Sequence, residues 1–138
     1  MERSILMLEH DDDDRYITRA VFDENHYAVK LHFVDSRNDL FAFLISCERS
    51  FLPYPALILL NHDARPANAV SILRELKADE RYMHIPVVVL TGTLNEETVQ
   101  TCYAAGANSV ITKPSSGRET NEKIANLIRY WFQTVELP

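Results

Sequence analysis

Glycine is scarce in this chain, three residues in 138, and cysteine is scarcer, with two. So few glycines, alongside 46% hydrophobic and 25% charged residues, exclude a fibrous or disordered chain and leave a soluble globular one. Cys47 and Cys102 stand alone on separate helical stretches without CxxC spacing, so they read as reduced, partly buried thiols and not as a disulfide or zinc site. No apolar run approaches the length of a membrane span, and the N-terminus MERSILMLEHDDDD lacks the basic start and small-residue cleavage site of a signal peptide. A cytoplasmic protein without membrane contact is expected. A basic stripe is also missing. With a formal net charge of −6, nucleic acid is not expected as a direct partner, because phosphate neutralisation supplies most of that affinity.

What is present is alternation. The segments SILML (4–8), VKLHFV (29–34), ALILL (56–60), IPVVVLT (85–91) and NSVIT (108–112) read as five strands. Stretches of 3.6-residue periodicity lie between and after them, over roughly 12–24, 36–48, 67–78, 95–105 and 117–134. In the last stretch Ile124, Leu127, Ile128, Trp131 and Val135 share one face, which predicts a helix packed on a sheet with Trp131 in the core. Strands three and four are apolar at consecutive positions, as central parallel strands are, whereas VKLHFV alternates and suits an edge. The predicted fold is a doubly wound (βα)5, flavodoxin-like α/β domain over 1–138, with a five-stranded parallel sheet in the order 2-1-3-4-5 and no output domain.

In such folds the working site lies beyond the carboxyl ends of the strands, where strand order reverses. There the chain places Glu9, His10 and Asp11 beside Asn61, His62 and Asp63, with Thr91 and Lys113 from the fourth and fifth strands.

On these residues the chain resembles the receiver domain of two-component response regulators, nearly over its whole length. The likeness rests on an ordered set: ILMLEHDDDD at the first strand, PALILLNHDARPANA around the third, VVVLTGT at the fourth and GANSVITKP at the fifth. It looks closest to stand-alone, chemotaxis-receiver-like members. The resemblance implies that an acidic pair after the first strand and an aspartate ending the third hold Mg²⁺, and that this aspartate accepts a phosphoryl group. A hydroxyl residue and a lysine ending the fourth and fifth strands then bind the phosphoryl oxygens. Matched by position, Glu9 and His10 take the acidic-pocket places, Asn61 the phosphoacceptor place, and Thr91 and Lys113 the phosphoryl-contact places. Pro114 takes the place of a proline whose preceding peptide bond is usually cis in the family.

Three matched positions depart from the family. The neutral carboxamide of Asn61 is a poor nucleophile toward phosphorus. His10 replaces a magnesium-ligating aspartate, and imidazole suits zinc, copper or nickel better than magnesium. Val110 stands where the family has a switch Tyr or Phe, and valine is stiff at χ1 with no ring to swing. In the loop after the third strand, Arg65 precedes Pro66, and Ala69 stands where a glycine is common. With Glu9 the one clear carboxylate left among the three matched metal positions, no cofactor and no enzymatic activity are expected. The expectation is a pseudo-receiver that binds a signalling protein, a histidine kinase or a downstream effector, without phosphorylation. Its binding face would be the fourth helix, fifth strand and fifth helix, including Tyr103, Val110 and the segment 129–132, where Tyr130 and Phe132 are candidate surface anchors and packing could equally use one of them.

Other readings stay open. The run DDDD (11–14) reads as helix capping and solvated surface, yet a one-residue slip puts Asp11 at the metal position. Asp11 or Asp63 as a substitute acceptor would give an altered phosphotransfer receiver. Glu9, His10, Asp11 and Asp63 are weak metal candidates, with His10 and His62 as imidazole donors for zinc or nickel. A flavin or nucleotide protein of the same topology would rest on the TGT segment at 91–93 alone, since EHDDDD repels a phosphate.

Overall fold

The computed structural model describes residues 3–62, 68–92, 95–113 and 117–138. The apolar runs become strands covered on both faces: β1 (Ser4–Leu8), β2 (Lys30–Val34), β3 (Leu57–Asn61), β4 (Val87–Thr91) and β5 (Ser109–Thr112). They form one sheet in the order β2-β1-β3-β4-β5, every adjacent pair parallel, as the sequence predicts. The helices are α1 (Asp12–Asn25), α2 (Arg37–Arg49), α3 (Ala69–Ala78), α4 (Glu96–Ala104) and α5 (Gly117–Ile128).

Side chains alternate across each strand, so one strand feeds two cores. Leu6, Leu8, Ile58, Leu60, Val87 and Val89 pack with residues of α2, α3 and α4, among them Leu40, Leu44, Ile72 and Cys102. Ile5, Met7, Leu57, Leu59 and Val88 pack with Val21 and Phe22 of α1 and Ile124, Leu127 and Ile128 of α5. A parallel sheet buried on both sides has no place for polar residues within its central strands, which is why β3 and β4 read as continuous apolar runs. Cys47 and Cys102 are free thiols and fully inside, deeper than the sequence implied, and burial raises both thiol pKa values.

Helix starts follow their capping residues. Asp11, Ser36, Asn68 and Asn95 each accept a backbone N–H three residues on, satisfying a donor that the first turn leaves open. The predicted helix over 67–78 begins after its Asn68 cap, and Ala69, its first residue, is buried.

One prediction fails at the C-terminal end. The helix predicted through 134 stops as an α-helix at Ile128 and continues as a π-helical turn, Arg129–Thr134. Bonding from residue i to i+5 widens the turn, so a 3.6-residue spacing no longer defines one face. As a result Trp131 is half-buried and not core, and Phe132 is the one of the two candidate anchors that packing uses, lying against the same cluster beside it. Tyr130 is exposed, its ring edge-on to Trp131 at 5.1 Å between centroids.

Candidate functional site

Register brings the site together. Leu8 pairs with Leu60 across β1 and β3, so the next residues along each strand, Glu9 and Asn61, stand level. Alternation turns both toward the side of Met7 and Leu59, the face covered by α1 and α5. Lys113, two residues beyond Ile111, turns the same way, and its backbone N–H donates to the Thr91 carbonyl at 2.7 Å. Thr91 follows Val89 and is buried, so its side chain starts on the opposite face of the sheet.

Glu9 and Asn61 are 0% and 2% exposed, and Nδ2 of Asn61 donates to Oε2 of Glu9. The apolar run of β3 therefore ends on an amide that is the last residue of the strand, bonded across to the neighbouring strand end. Nζ of Lys113 donates to Oε1 of Glu9 at 3.2 Å and to Oδ2 of Asp14 at 3.1 Å, a cation held between two acids. Arg15 fixes the loop between β1 and α1: Nε donates to the Glu9 carbonyl, Nη2 pairs with Asp35, and the guanidinium lies 5.2 Å from the Phe33 ring centroid.

The electrostatics follow from depth. Burial pushes the Glu9 carboxyl above its ordinary range, helped by a hydrogen bond shared with Asp14, and the amide of Asn61 and the ammonium of Lys113 only partly oppose this. Asp14 is held below its ordinary range by the bond from Glu9 and then by Lys113. Burial works against the charge on Lys113, but the bond to Asp14 and the field of Glu9 outweigh it and raise its pKa. A proton entering the acid pair therefore goes to Glu9, leaving Asp14 and Lys113 charged.

Asp14 is the residue that sequence reasoning missed. The DDDD run divides its labour: Asp11 caps α1, Asp12 and Asp13 are exposed, and Asp14 turns inward. Its signal was helical spacing, because Asp14, Thr18 and Val21 lie at i, i+4 and i+7 and the last two are buried. Asp11, the slip candidate for a metal position, is occupied by its capping bond from Asp14 N–H at 3.0 Å. His10 is exposed and lies near enough to Asp14 to favour its charged form. His62 donates its backbone N–H to the Leu90 carbonyl at 2.7 Å. Asp63, Arg65, Pro66 and Pro114, together with Thr93 of the TGT segment, lie outside the described residues. Among the described residues no group of three or more His, Cys, Asp or Glu side chains is arranged to hold a metal ion.

Val110 packs half-buried against the α2–α4 side of the sheet, and its N–H donates to the phenol oxygen of Tyr103 at 3.2 Å. That places an α4 aromatic, 48% exposed, beside the position where the sequence lacks a ring.

No protein-family model matches the chain. Response regulator Rcp1 of Synechocystis sp. is 33% identical over 86 residues, which cover 62% of this chain and 58% of that protein. Among solved structures, a response regulator in red light signaling of R. palustris superposes with a TM-score of 0.91 at 26% identity, over 99% of this chain and 98% of that one. The Mn²⁺-bound form of Rcp1 superposes with a TM-score of 0.85 at 28% identity, over 99% of both chains. With strand order, register at the switch point and end-to-end likeness in agreement, the chain has the fold of a response-regulator receiver domain.

Proposed function

We propose that this chain is a two-component signalling receiver that works without phosphorylation, a pseudo-receiver that engages a histidine kinase or a downstream effector in the conformation it already holds. The observation that carries the reading is the Asn61–Glu9 bond: the phosphoacceptor place holds a buried amide that gives its N–H to the neighbouring acid. An amide nitrogen delocalises its lone pair into the carbonyl and is not nucleophilic toward phosphorus, and its oxygen is a weak nucleophile compared with a carboxylate.

The same geometry disfavours Mg²⁺. Magnesium requires near-octahedral oxygen donors, whereas here the Lys113 ammonium lies between Glu9 and Asp14, and Asn61 points N–H at Glu9. The ammonium supplies the positive charge that grouped acids need. Transfer through Asp11 as an altered acceptor finds no support in its place, since it is exposed and one of its carboxylate oxygens caps α1, away from the buried Asn61–Glu9 pair. The binding surface that fits this reading is the α4–β5–α5 side, where Tyr103 and Tyr130 are about half exposed.

The test is incubation with acetyl phosphate and Mg²⁺, followed by intact-mass measurement and peptide mapping. The expected result is an unmodified chain that still binds its partner. A phosphoryl adduct on Asp11 or Asp63 would establish the altered phosphotransfer receiver instead.

A further inference from the structure

Behind the acid pair, between α1, α5 and the facing side of the sheet, lies a cavity of ≈ 310 Å³. That volume is at the lower end of small-molecule sites, which run from about 300 to 1,000 Å³. Its floor is made by Met7, Leu59, Leu90 and Ile111, one from each of four strands, and its walls include Ile17 and Leu127. The charged groups gather at the end where the strands finish, Glu9, Asp14, Lys113 and Lys123, and Thr18 and Thr120 add hydroxyls to the walls.

Two acids and two lysines balance in number at that end, but not in pairing. Lys113 is shared by Glu9 and Asp14. Lys123, half-buried on α5, donates to the Thr112 carbonyl, and among the described residues no carboxylate is ion-paired with it. A cavity with an apolar body and one cation lacking an acid partner selects a molecule of complementary form. An amine would have to displace Lys113 from its place between Glu9 and Asp14, whereas a carboxylate can bond Lys123 without breaking that cluster, and a neutral apolar molecule would leave the Lys123 charge unanswered.

We propose that this cavity binds a small apolar carboxylic acid, of the size of one aromatic ring on a short chain, with its carboxylate on Nζ of Lys123 and its ring on the floor of Met7, Leu90 and Ile111. Such a ligand would lie behind the Glu9–Asp14–Lys113 cluster and give the receiver an input that no phosphoryl group supplies. The proposal does not depend on whether Asn61 accepts phosphate.

The experiment is a methyl-resolved NMR titration of the full chain with phenylpropionate, phenylpropanol and phenylpropylamine. Saturable shifts at the methyls of Met7, Ile17, Ile111 and Leu127 are expected, with the acid binding roughly tenfold more tightly than the alcohol or the amine, as one charge-assisted hydrogen bond implies. Lys123→Met is expected to bring the acid down to the alcohol while leaving the alcohol unchanged, and Ile111→Phe, which fills the floor, to abolish all three. The proposal is overturned by absence of saturable methyl shifts, by equal affinity for the three probes, or by an acid preference that survives Lys123→Met.

Discussion

The side-chain amide of Asn61 donates to a carboxylate oxygen of Glu9 across the ends of two neighbouring strands, and both residues are sealed from solvent. A carboxylate is an acceptor only, so the pair is complementary because one member is an amide. Substituting Asn61→Asp would remove the donor and press a second acid against the first. We expect the unfolding free energy to fall by about 2 kcal/mol at neutral pH, the scale of a buried polar group left without its partner. Urea denaturation checks it, and an unchanged or higher midpoint would contradict the pairing.

Glu9→Gln tests the raised pKa of Glu9. A group whose folded-state pKa lies above its unfolded value, here 4.5, contributes fully below that value and loses its contribution as pH rises through the folded one. The wild type therefore sheds stability over that window and the glutamine variant does not. Thermal melts across a pH series should show the variant gaining on the wild type as pH rises from about 4.5; parallel curves would mean that Glu9 titrates normally.

Asp11 is expected to matter for the helix and not for phosphate. Its carboxylate caps α1 one turn ahead of Asp14, so Asp11→Ala should cost about 1 kcal/mol by chemical denaturation. A null effect would show that the first turn of α1 does not depend on this cap.

Gly106, after α4, holds φ +110°, and a Cβ there would meet Cγ of Lys77 at 2.8 Å. Lys77 reaches past it to the carbonyls of Met83 and Ile85 and to Oδ1 of Asn108. Those three bonds hold the lysine stem in place and the backbone angle does not suit alanine, so Gly106→Ala should cost about 1–3 kcal/mol. Differential scanning calorimetry reads the loss, and an unaltered melting temperature would mean that the turn relaxes to negative φ.

The sheet was legible because burial on both faces writes itself as unbroken apolar runs: LILL of β3 and VVVL of β4 announce their central place, and KLHFV its edge. Glu9, Asn61 and Lys113 were legible as strand-end residues, since strand direction alone brings them to one end. Asp14 was hidden in a run of four identical residues whose roles differ only by helical angle. The π-helical turn at Arg129–Thr134 was hidden for the opposite reason, as apolar and aromatic residues there fit a 3.6-residue period that the backbone does not follow.

The central claim, that the strand-end cluster is closed by its own side chains, is tested most directly by backbone amide NMR. Mg²⁺ is added to the full chain first and beryllofluoride, a phosphoryl mimic, second, with Glu9, Asp14, Asn61, Thr91 and Lys113 as reporters. The account predicts no saturable shift at these amides in either step. Saturable shifts confined to them would show a pocket that still takes a metal and a phosphoryl group, and the pseudo-receiver reading would be wrong.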